Sequence, residues 1–223
     1  MQSSLLLKSF PCVRNGDMLN VGLTGGIACG KSTVARLFVG KGAFHIDFDQ
    51  LAHAVQEPDQ PAWQQIVAFY GSDILHPDQT IDRAKLGAIV FEDKEKRARL
   101  NSIVHPAVFA SWYHRIEKIK AIKPDAVILS DVPLLIETGM QPLFDLVLLV
   151  YISPEEQMDR LMKRNGLSRE EARLRLASQM SIDAKLPFAQ IVLNNQGTLE
   201  ATRQTVDRIW RELLQQEKAK RHL

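Results

Sequence analysis

The residues best suited to chemistry form one short glycine-rich segment that ends in a lysine and a hydroxyl residue. The segment Gly25-Gly26-Ile27-Ala28-Cys29-Gly30-Lys31-Ser32, followed by Thr33, fits the phosphate-loop pattern Gly-x-x-x-x-Gly-Lys-Ser/Thr. In such a loop, successive backbone N–H groups point into one concavity and bind phosphate oxygens there. The lysine reaches the β- and γ-phosphates, and the serine hydroxyl ligates Mg²⁺. The segment therefore predicts a nucleoside triphosphate site, with Lys31 on the phosphates and Ser32 on the metal.

The residues on either side of this loop have the patterns of the elements that must hold it. An apolar run at residues 19–23 indicates a buried strand, and residues 31–41 carry Val34, Leu37 and Phe38 at helical spacing. A phosphate loop requires the order strand, glycine loop, helix, because the helix N-terminus adds a partial positive charge. These flanks favour a phosphate loop over an ordinary glycine-rich turn.

Composition excludes several other classes of protein. The 223 residues are 45% hydrophobic and 24% charged, which is typical of a globular domain. The net charge of +2 comes without a concentrated basic stripe, so we expect no nucleic-acid partner. No apolar run approaches the roughly 20 residues of a membrane helix, and Cys12 and Cys29 form no disulfide or zinc pattern. We therefore expect a cytoplasmic protein without a membrane partner, active as a monomer, with a weak oligomer as the alternative.

Five apolar segments alternate with helical patterns along the chain. Strands are expected at residues 20–24, 43–47, 126–130, 146–151 and 191–193. This alternation predicts a doubly wound parallel five-stranded α/β sheet of the P-loop NTPase type. The connection after the second strand is too long for a loop, and it has helical patterns at residues 50–56, 62–70, 83–91 and 94–120. Pro106 is expected to kink or split the last of these helices.

These patterns predict a core, an insertion and a lid. Residues 1–17 are expected to form a disordered extension or, alternatively, to result from an upstream choice of start codon before Met18. Residues 18–215 are expected to form one catalytic domain, and residues 216–223 a charged tail. The core of the domain comprises residues 18–49, 125–153 and 187–215, the helical acceptor-binding insertion about 50–124, and the helical lid about 154–186. In the lid, a capping box at residues 168–171 begins a helix that is predicted to run to about residue 180.

Acidic residues follow two of the predicted strands, at the edge of the sheet where ligands of such folds bind. Asp47 and Asp49 follow the second strand, and Asp131 ends the third. A phosphotransferase needs a carboxylate that orients the acceptor hydroxyl and accepts its proton, which either residue of the first pair supplies. The alternative for that pair is a helix cap. Asp131 is predicted to hold Mg²⁺ directly or through water, and the alternative is a polar residue at a solvent-facing strand end.

Four further side chains near these motifs are candidates for function. Arg160 and Arg164 share one face of the lid helix and are predicted to close over the triphosphate, unless they belong to an ordinary solvated face. His105 precedes Pro106 in the insertion, and a lone histidine there is more often an ordinary helix residue than a ligand. Cys29 lies next to a helix N-terminus, which is expected to lower the pKa of its thiol.

Taken together, the motifs closely resemble those of the dephospho-coenzyme A kinase family. The resemblance covers about residues 18–215. It is carried by residues 23–33, by His45-Ile46-Asp47-Phe48-Asp49, by residues 100–106, by Asp131-Val132-Pro133-Leu134-Leu135-Ile136-Glu137 and by the lid at residues 157–180. Two features depart from the family pattern. Cys29 replaces a small loop residue, and residues 188–195 lack the usual acidic residues, which leaves the adenine contacts undefined.

This resemblance implies ATP- and Mg²⁺-dependent phosphorylation of the ribose 3′-hydroxyl of dephospho-coenzyme A. It implies that Asp49 is the base, that Lys31 and Arg160 serve the phosphates, and that His105 belongs to the acceptor site; Asp47 is assigned to the acceptor and Arg164 to ATP. The alternative is another P-loop kinase acting on a small molecule or a nucleoside monophosphate. A GTP switch is disfavoured, because residues 194–197 lack the Lys and Asp of a guanine-reading Asn-Lys-x-Asp motif.

Overall fold

A five-stranded sheet forms the centre of the computed structural model, which describes residues 18–221. Its strands are β1 (Leu19–Gly25), β2 (Phe44–Asp47), β3 (Val127–Asp131), β4 (Leu146–Tyr151) and β5 (Ile191–Asn194), in the order β2-β3-β1-β4-β5. The pairs β1–β3, β1–β4 and β4–β5 are parallel. Every residue of β1 is buried, as expected for a strand covered on both faces. The predicted five-stranded P-loop fold is confirmed, with strand ends displaced by a residue or two.

The chain divides into two compact units, which we name the loop unit and the helical unit. The loop unit comprises the described residues up to Ile46 and from Ile119 onward, and the helical unit is Asp47–Lys118. The loop unit contains the sheet with helices α1 (Lys31–Val39), α6 (Pro154–Asn165), α7 (Arg169–Ala177), α8 (Ile182–Lys185) and α9 (Leu199–Lys220). The helical unit contains α2 (Phe48–Ala54), α3 (Pro61–Tyr70), α4 (Arg83–Glu92) and most of α5 (Lys94–Ile122).

The two units have cores of different kinds. In the loop unit, apolar residues of β1, β4 and β5 pack against α1 and α9, with Phe38 and Ile209 fully buried. In the helical unit, three aromatic rings pack together, and Phe48 and Trp112 have centroids 5.4 Å apart, with Phe109 at 6.2 Å from Trp112. Each core keeps the elements that carry the candidate site residues in fixed places within its own unit.

Three sequence expectations differ from the structure at helix ends and interiors. The expected split at Pro106 is wrong, because α5 continues through this residue over 29 residues. Proline removes one backbone hydrogen bond, and buried residues on both sides, Val104 and Val108, keep the helix packed across that gap. The capping box at Ser168 and Glu171 is present, but its helix ends at Ala177 rather than near residue 180. Helix α9 runs to Lys220, into the predicted tail.

The predicted extension at residues 1–17 lies outside the described residues. Among residues 18–221, no helix is long and apolar enough to span a lipid bilayer.

Candidate active site

The phosphate loop joins the end of β1 to the start of α1. Gly25 is the last residue of β1, and Lys31, Ser32 and Thr33 form the first turn of α1. Two loop residues have left-handed backbone angles, with φ of 61° at Ala28 and 82° at Gly30. Glycine adopts this conformation freely, whereas alanine in it costs about 1 kcal/mol. The loop therefore contains one strained residue that its surroundings must hold in place.

Two buried amide side chains bind the outer side of this loop. Gln157 of α6 donates from Nε2 to the carbonyl oxygen of Ile27 at 2.8 Å. Asn195, directly after β5, donates from Nδ2 to the carbonyl oxygen of Cys29 at 2.7 Å. The Thr202 hydroxyl of α9 donates to Asn195 Oδ1 at 2.7 Å, which fixes the orientation of that amide. The loop is thus anchored to three separate elements of the loop unit.

The same two amides explain the glycines at two loop positions. A Cβ atom added at Gly26 would overlap Nε2 of Gln157, and one added at Gly30 would overlap Nδ2 of Asn195. The motif therefore excludes side chains here because neighbouring elements approach the backbone closely. The glycines are visible in the sequence, but the residues that pack against them are not.

Lys31 forms a partly buried ion pair with Asp131. The Lys31 ammonium contacts Asp131 Oδ1, and His45 Nε2 lies 3.5 Å from the other carboxylate oxygen. The pairing follows from topology, because β3 lies beside β1 with Asp131 in register with Leu23. Burial alone would raise the pKa of Asp131, but the contact with His45 and the charge of Lys31 outweigh it and lower that pKa.

A groove of about 540 Å³ opens along the loop. Its walls are residues 28–32 with Gly26 on one side, and Arg160, Lys163 and Arg164 of α6 on the other. Arg160 is held by two contacts, from Nε to Glu156 Oε1 at 2.8 Å and from an Nη to the carbonyl oxygen of Asn195 at 3.0 Å. Arg164 is exposed and donates to the Asn165 side chain. The groove is cationic and lined by backbone, which suits a polyphosphate.

The expectation that the helix N-terminus lowers the pKa of Cys29 is wrong. The thiol is only 1% exposed, and this burial raises its pKa. A hydrogen bond from the backbone of Lys31 and the charge of its ammonium act in the opposite direction but are smaller. The sulfur therefore packs as an apolar group under the loop.

The remaining candidates lie in the helical unit. Asp47 caps α2, where its Oδ1 accepts from the backbone N–H groups of Asp49 at 2.8 Å and Gln50 at 3.1 Å. The capping alternative therefore holds for Asp47. The Asp49 carboxylate is exposed in the first turn of that helix. His105 lies in the middle of α5 with its side chain still accessible, and desolvation by the surrounding protein lowers the pKa of its imidazole.

Comparison with known proteins decides the family. A family model described as "CoaE: Dephospho-CoA kinase" matches residues 19–201. The chain belongs to the dephospho-CoA kinase family. A dephospho-CoA kinase of Syntrophus aciditrophicus is 57% identical over 211 residues, covering 95% of this chain and 90% of that protein. A dephospho-CoA kinase of Streptomyces avermitilis is 46% identical over 197 residues, covering 88% of this chain and 95% of that protein.

Solved structures agree with this assignment. A dephospho-CoA kinase from Campylobacter jejuni has a TM-score of 0.70 at 28% identity, covering 89% of this chain and 98% of that one. The protein TT1252 from Thermus thermophilus has a TM-score of 0.73 at 32% identity, covering 87% of this chain and 97% of that one. The predicted family, fold and kinase class are confirmed, while the roles given to individual residues stay predictions.

Several buried polar residues around the loop could not be recognised as functional from the sequence. Gln157, Asn195 and Thr202 are described above, and the fully buried Lys185 lies 2.7 Å from Glu137 Oε1. Only Gln157 carried a local signal, because it lies one helical turn before Arg160 on the same helix. The other residues act through contacts between elements that are far apart in the sequence.

Proposed function

We propose that this chain transfers the γ-phosphoryl group of ATP to the ribose 3′-hydroxyl of dephospho-coenzyme A. The observation that carries the proposal is the cationic groove along the phosphate loop, found in a chain of the dephospho-CoA kinase family. Loop residues 25–33 bind the phosphates through their backbone, and Lys31 stabilises the β- and γ-phosphate charge. Without nucleotide, the Asp131 carboxylate serves as the counter-charge of this lysine. ATP then brings in another anion that Lys31 binds.

The residues of the loop unit fit Mg²⁺. Its preferred ligands are oxygens, and Asp131 is an ionised carboxylate at neutral pH because its pKa is lowered. We assign the metal to the Ser32 hydroxyl and to Asp131, directly or through water. When bound, Mg²⁺ neutralises charge on the phosphates during transfer.

Arg160 and Arg164 serve ATP from the lid. Glu156 and the Asn195 backbone hold Arg160 beside the groove, so its guanidinium is oriented before ATP binds. A preorganised cation stabilises developing charge at no cost of reorganisation. Arg164 is more exposed, and we assign it to the outer part of the nucleotide.

The helical unit supplies the acceptor residues in this proposal. Asp49 accepts the proton of the 3′-hydroxyl as the new O–P bond forms, and the bond between the β- and γ-phosphates breaks to release ADP. His105, with its lowered pKa, is neutral at pH 7 and hydrogen-bonds the acceptor without adding charge. Asp47 remains assigned to acceptor binding, in addition to capping α2.

Incubation with MgATP and a panel of acceptors tests the proposal. Mass spectrometry should show phosphate gain on dephospho-coenzyme A, with one ADP released per product molecule. The panel includes nucleoside monophosphates and other small molecules that carry a hydroxyl group. Phosphorylation of one of these, with dephospho-coenzyme A unchanged, would contradict the proposal and support another P-loop kinase activity.

A further inference from the structure

We propose that Gln157 and Asn195 are positioning residues that keep the phosphate loop in its nucleotide-binding shape before ATP arrives. Neither residue is among those assigned above to ATP, metal or acceptor. The proposal rests on the proposed function only in that the loop binds phosphates; the identity of the acceptor does not enter it.

The two hydrogen bonds fix the direction of two peptide groups. A trans peptide is planar, so its C=O and the N–H of the following residue point in opposite directions. Gln157 holds the carbonyl of Ile27, and Asn195 holds that of Cys29. The N–H groups of Ala28 and Gly30 must therefore point away from the two amides. Both of these residues line the groove.

The anchored carbonyls lie on either side of the strained residue. Ala28 is left-handed, between Ile27 and Cys29. Without the two hydrogen bonds, this alanine would return to an ordinary backbone conformation, which is lower in energy for a residue with a Cβ atom. That return would rotate the flanking peptides and turn their N–H groups away from the phosphates. The amides therefore oppose a local strain that acts to open the loop.

The amides are themselves held rigidly. Gln157 is 5% exposed and Asn195 is 8% exposed, so neither has room to change its rotamer freely. Thr202 donates to Asn195 Oδ1, which leaves Nδ2 directed at the loop. Gly26 and Gly30 allow the amide nitrogens to approach the backbone where a Cβ would otherwise lie.

The same residues align the loop with the lid arginine. Asn195 binds the loop through its side chain and accepts from Arg160 through its backbone carbonyl. Gln157 lies three residues before Arg160 in α6, on nearly the same helix face. Loosening either amide should therefore weaken phosphate binding more than it slows the chemical step, because bound ATP re-forms the loop.

Cys29 reports directly on loop opening, because its buried thiol reacts only when the loop moves. We suggest alkylation with iodoacetamide in a Cys12→Ser background, followed by mass spectrometry of the Cys29 peptide, without nucleotide. Gln157→Leu and Thr202→Val should each increase the labelling rate about 10-fold or more, since a buried carbonyl or amide loses its partner. The KM for ATP should rise by a similar factor, with kcat changed less than about threefold.

Thr205→Val is the matched control, because the Thr205 hydroxyl donates within α9 to the carbonyl of Ala201 and is exposed. It should label at the parental rate. Thermal unfolding of every variant shows whether a loss of global stability accounts for faster labelling. If Gln157→Leu does not fold, Thr202→Val alone tests the proposal. Unchanged labelling together with an unchanged KM for ATP would overturn the proposal. If the protein does not phosphorylate dephospho-coenzyme A, the proposed function fails, but the labelling result still tests the role of the two amides.

Discussion

The loop unit and the helical unit hold their candidate residues in different ways. In the loop unit, the candidates and their neighbours bond to one another, as Lys31 does to Asp131 and Arg160 to Asn195. In the helical unit, Asp47 caps a helix through backbone N–H groups at its start, and His105 lies on a helix whose buried contacts come from other residues. The loop unit therefore holds its candidate residues in a bonded network, while the helical unit presents its candidates on helices.

This difference indicates how each unit should respond to substitution. Residues of a bonded network affect stability and ligand binding together, because each removal leaves a buried partner without its contact. Residues presented on a helix surface can be removed with little loss of stability, so that any effect on turnover is direct. The predictions below compare the two cases, from the largest expected effect to the smallest.

Asp49→Asn should have the largest effect on turnover. If Asp49 is the base, kcat should fall by about 10²- to 10⁴-fold, because the amide cannot accept the proton. The unfolding free energy and the affinity for ATP, measured by denaturation and by calorimetry, should stay close to the parental values. Asp82→Asn is the control, since Asp82 caps α4 in the same unit, has no assigned role, and asparagine caps a helix as well as aspartate. An Asp49→Asn enzyme within tenfold of the parental kcat would rule out this role.

Lys31→Met should reduce kcat/KM for ATP by about 10²- to 10³-fold, the range found when one preorganised donor is removed from a site. Unlike Asp49→Asn, it should also lower stability, because buried Asp131 loses its cationic partner. Lys163 lines the same groove but is exposed, so Lys163→Met is the matched control and should cost only a few-fold. Equal losses in the two variants would show that the groove binds phosphate by net charge alone.

The ion pair of Asp131 should also make stability depend on pH. The pKa of Asp131 is lowered in the folded protein, so its contribution is present above the unfolded pKa of about 3.9 and is lost as the pH falls through the folded pKa. Asp131→Asn should therefore cost about 1–3 kcal/mol at pH 7 and less at pH 3, measured by urea unfolding. Asp207→Asn, which breaks the exposed pair with Lys41, should cost under about 1 kcal/mol.

The sequence allowed the fold and the centre of the site to be predicted, because their signals are local. The strand before Gly25 and the helix after Gly30 have their own apolar patterns, and Lys31 is fixed by its spacing from the glycines. The split expected as one outcome at Pro106 does not occur, since helix propensity describes one helix alone and the packing of Val104 and Val108 lies outside it.

The surroundings of the loop could not be predicted, because they depend on contacts across long stretches of sequence. Gln157 is 130 residues from Ile27, and Asn195 is 166 residues from Cys29. The pKa of Cys29 was predicted in the wrong direction for the same reason. The helix N-terminus is visible in the sequence, whereas the burial that outweighs it depends on the folded loop unit.

The cap at Asp47 offers a smaller test within the helical unit. Asp47→Ala should lower the unfolding free energy by about 1 kcal/mol, because two backbone N–H groups at the start of α2 lose their acceptor. Asp47→Asn should change it by only a few tenths of that amount. If Asp47 also binds the acceptor, Asp47→Asn should raise the KM for dephospho-coenzyme A while leaving the KM for ATP unchanged.

The smallest effect is expected at Ala28, where two opposing terms nearly cancel. Glycine at this position removes the left-handed strain of about 1 kcal/mol but adds a similar amount of chain entropy to the unfolded state. Ala28→Gly should therefore change the unfolding free energy by less than about 0.5 kcal/mol. Ala110→Gly, at an exposed position inside α5, relieves no backbone strain and should lower the unfolding free energy by about 1 kcal/mol. Equal costs in urea unfolding would mean that Ala28 carries no strain, and the two amides would then have nothing to oppose.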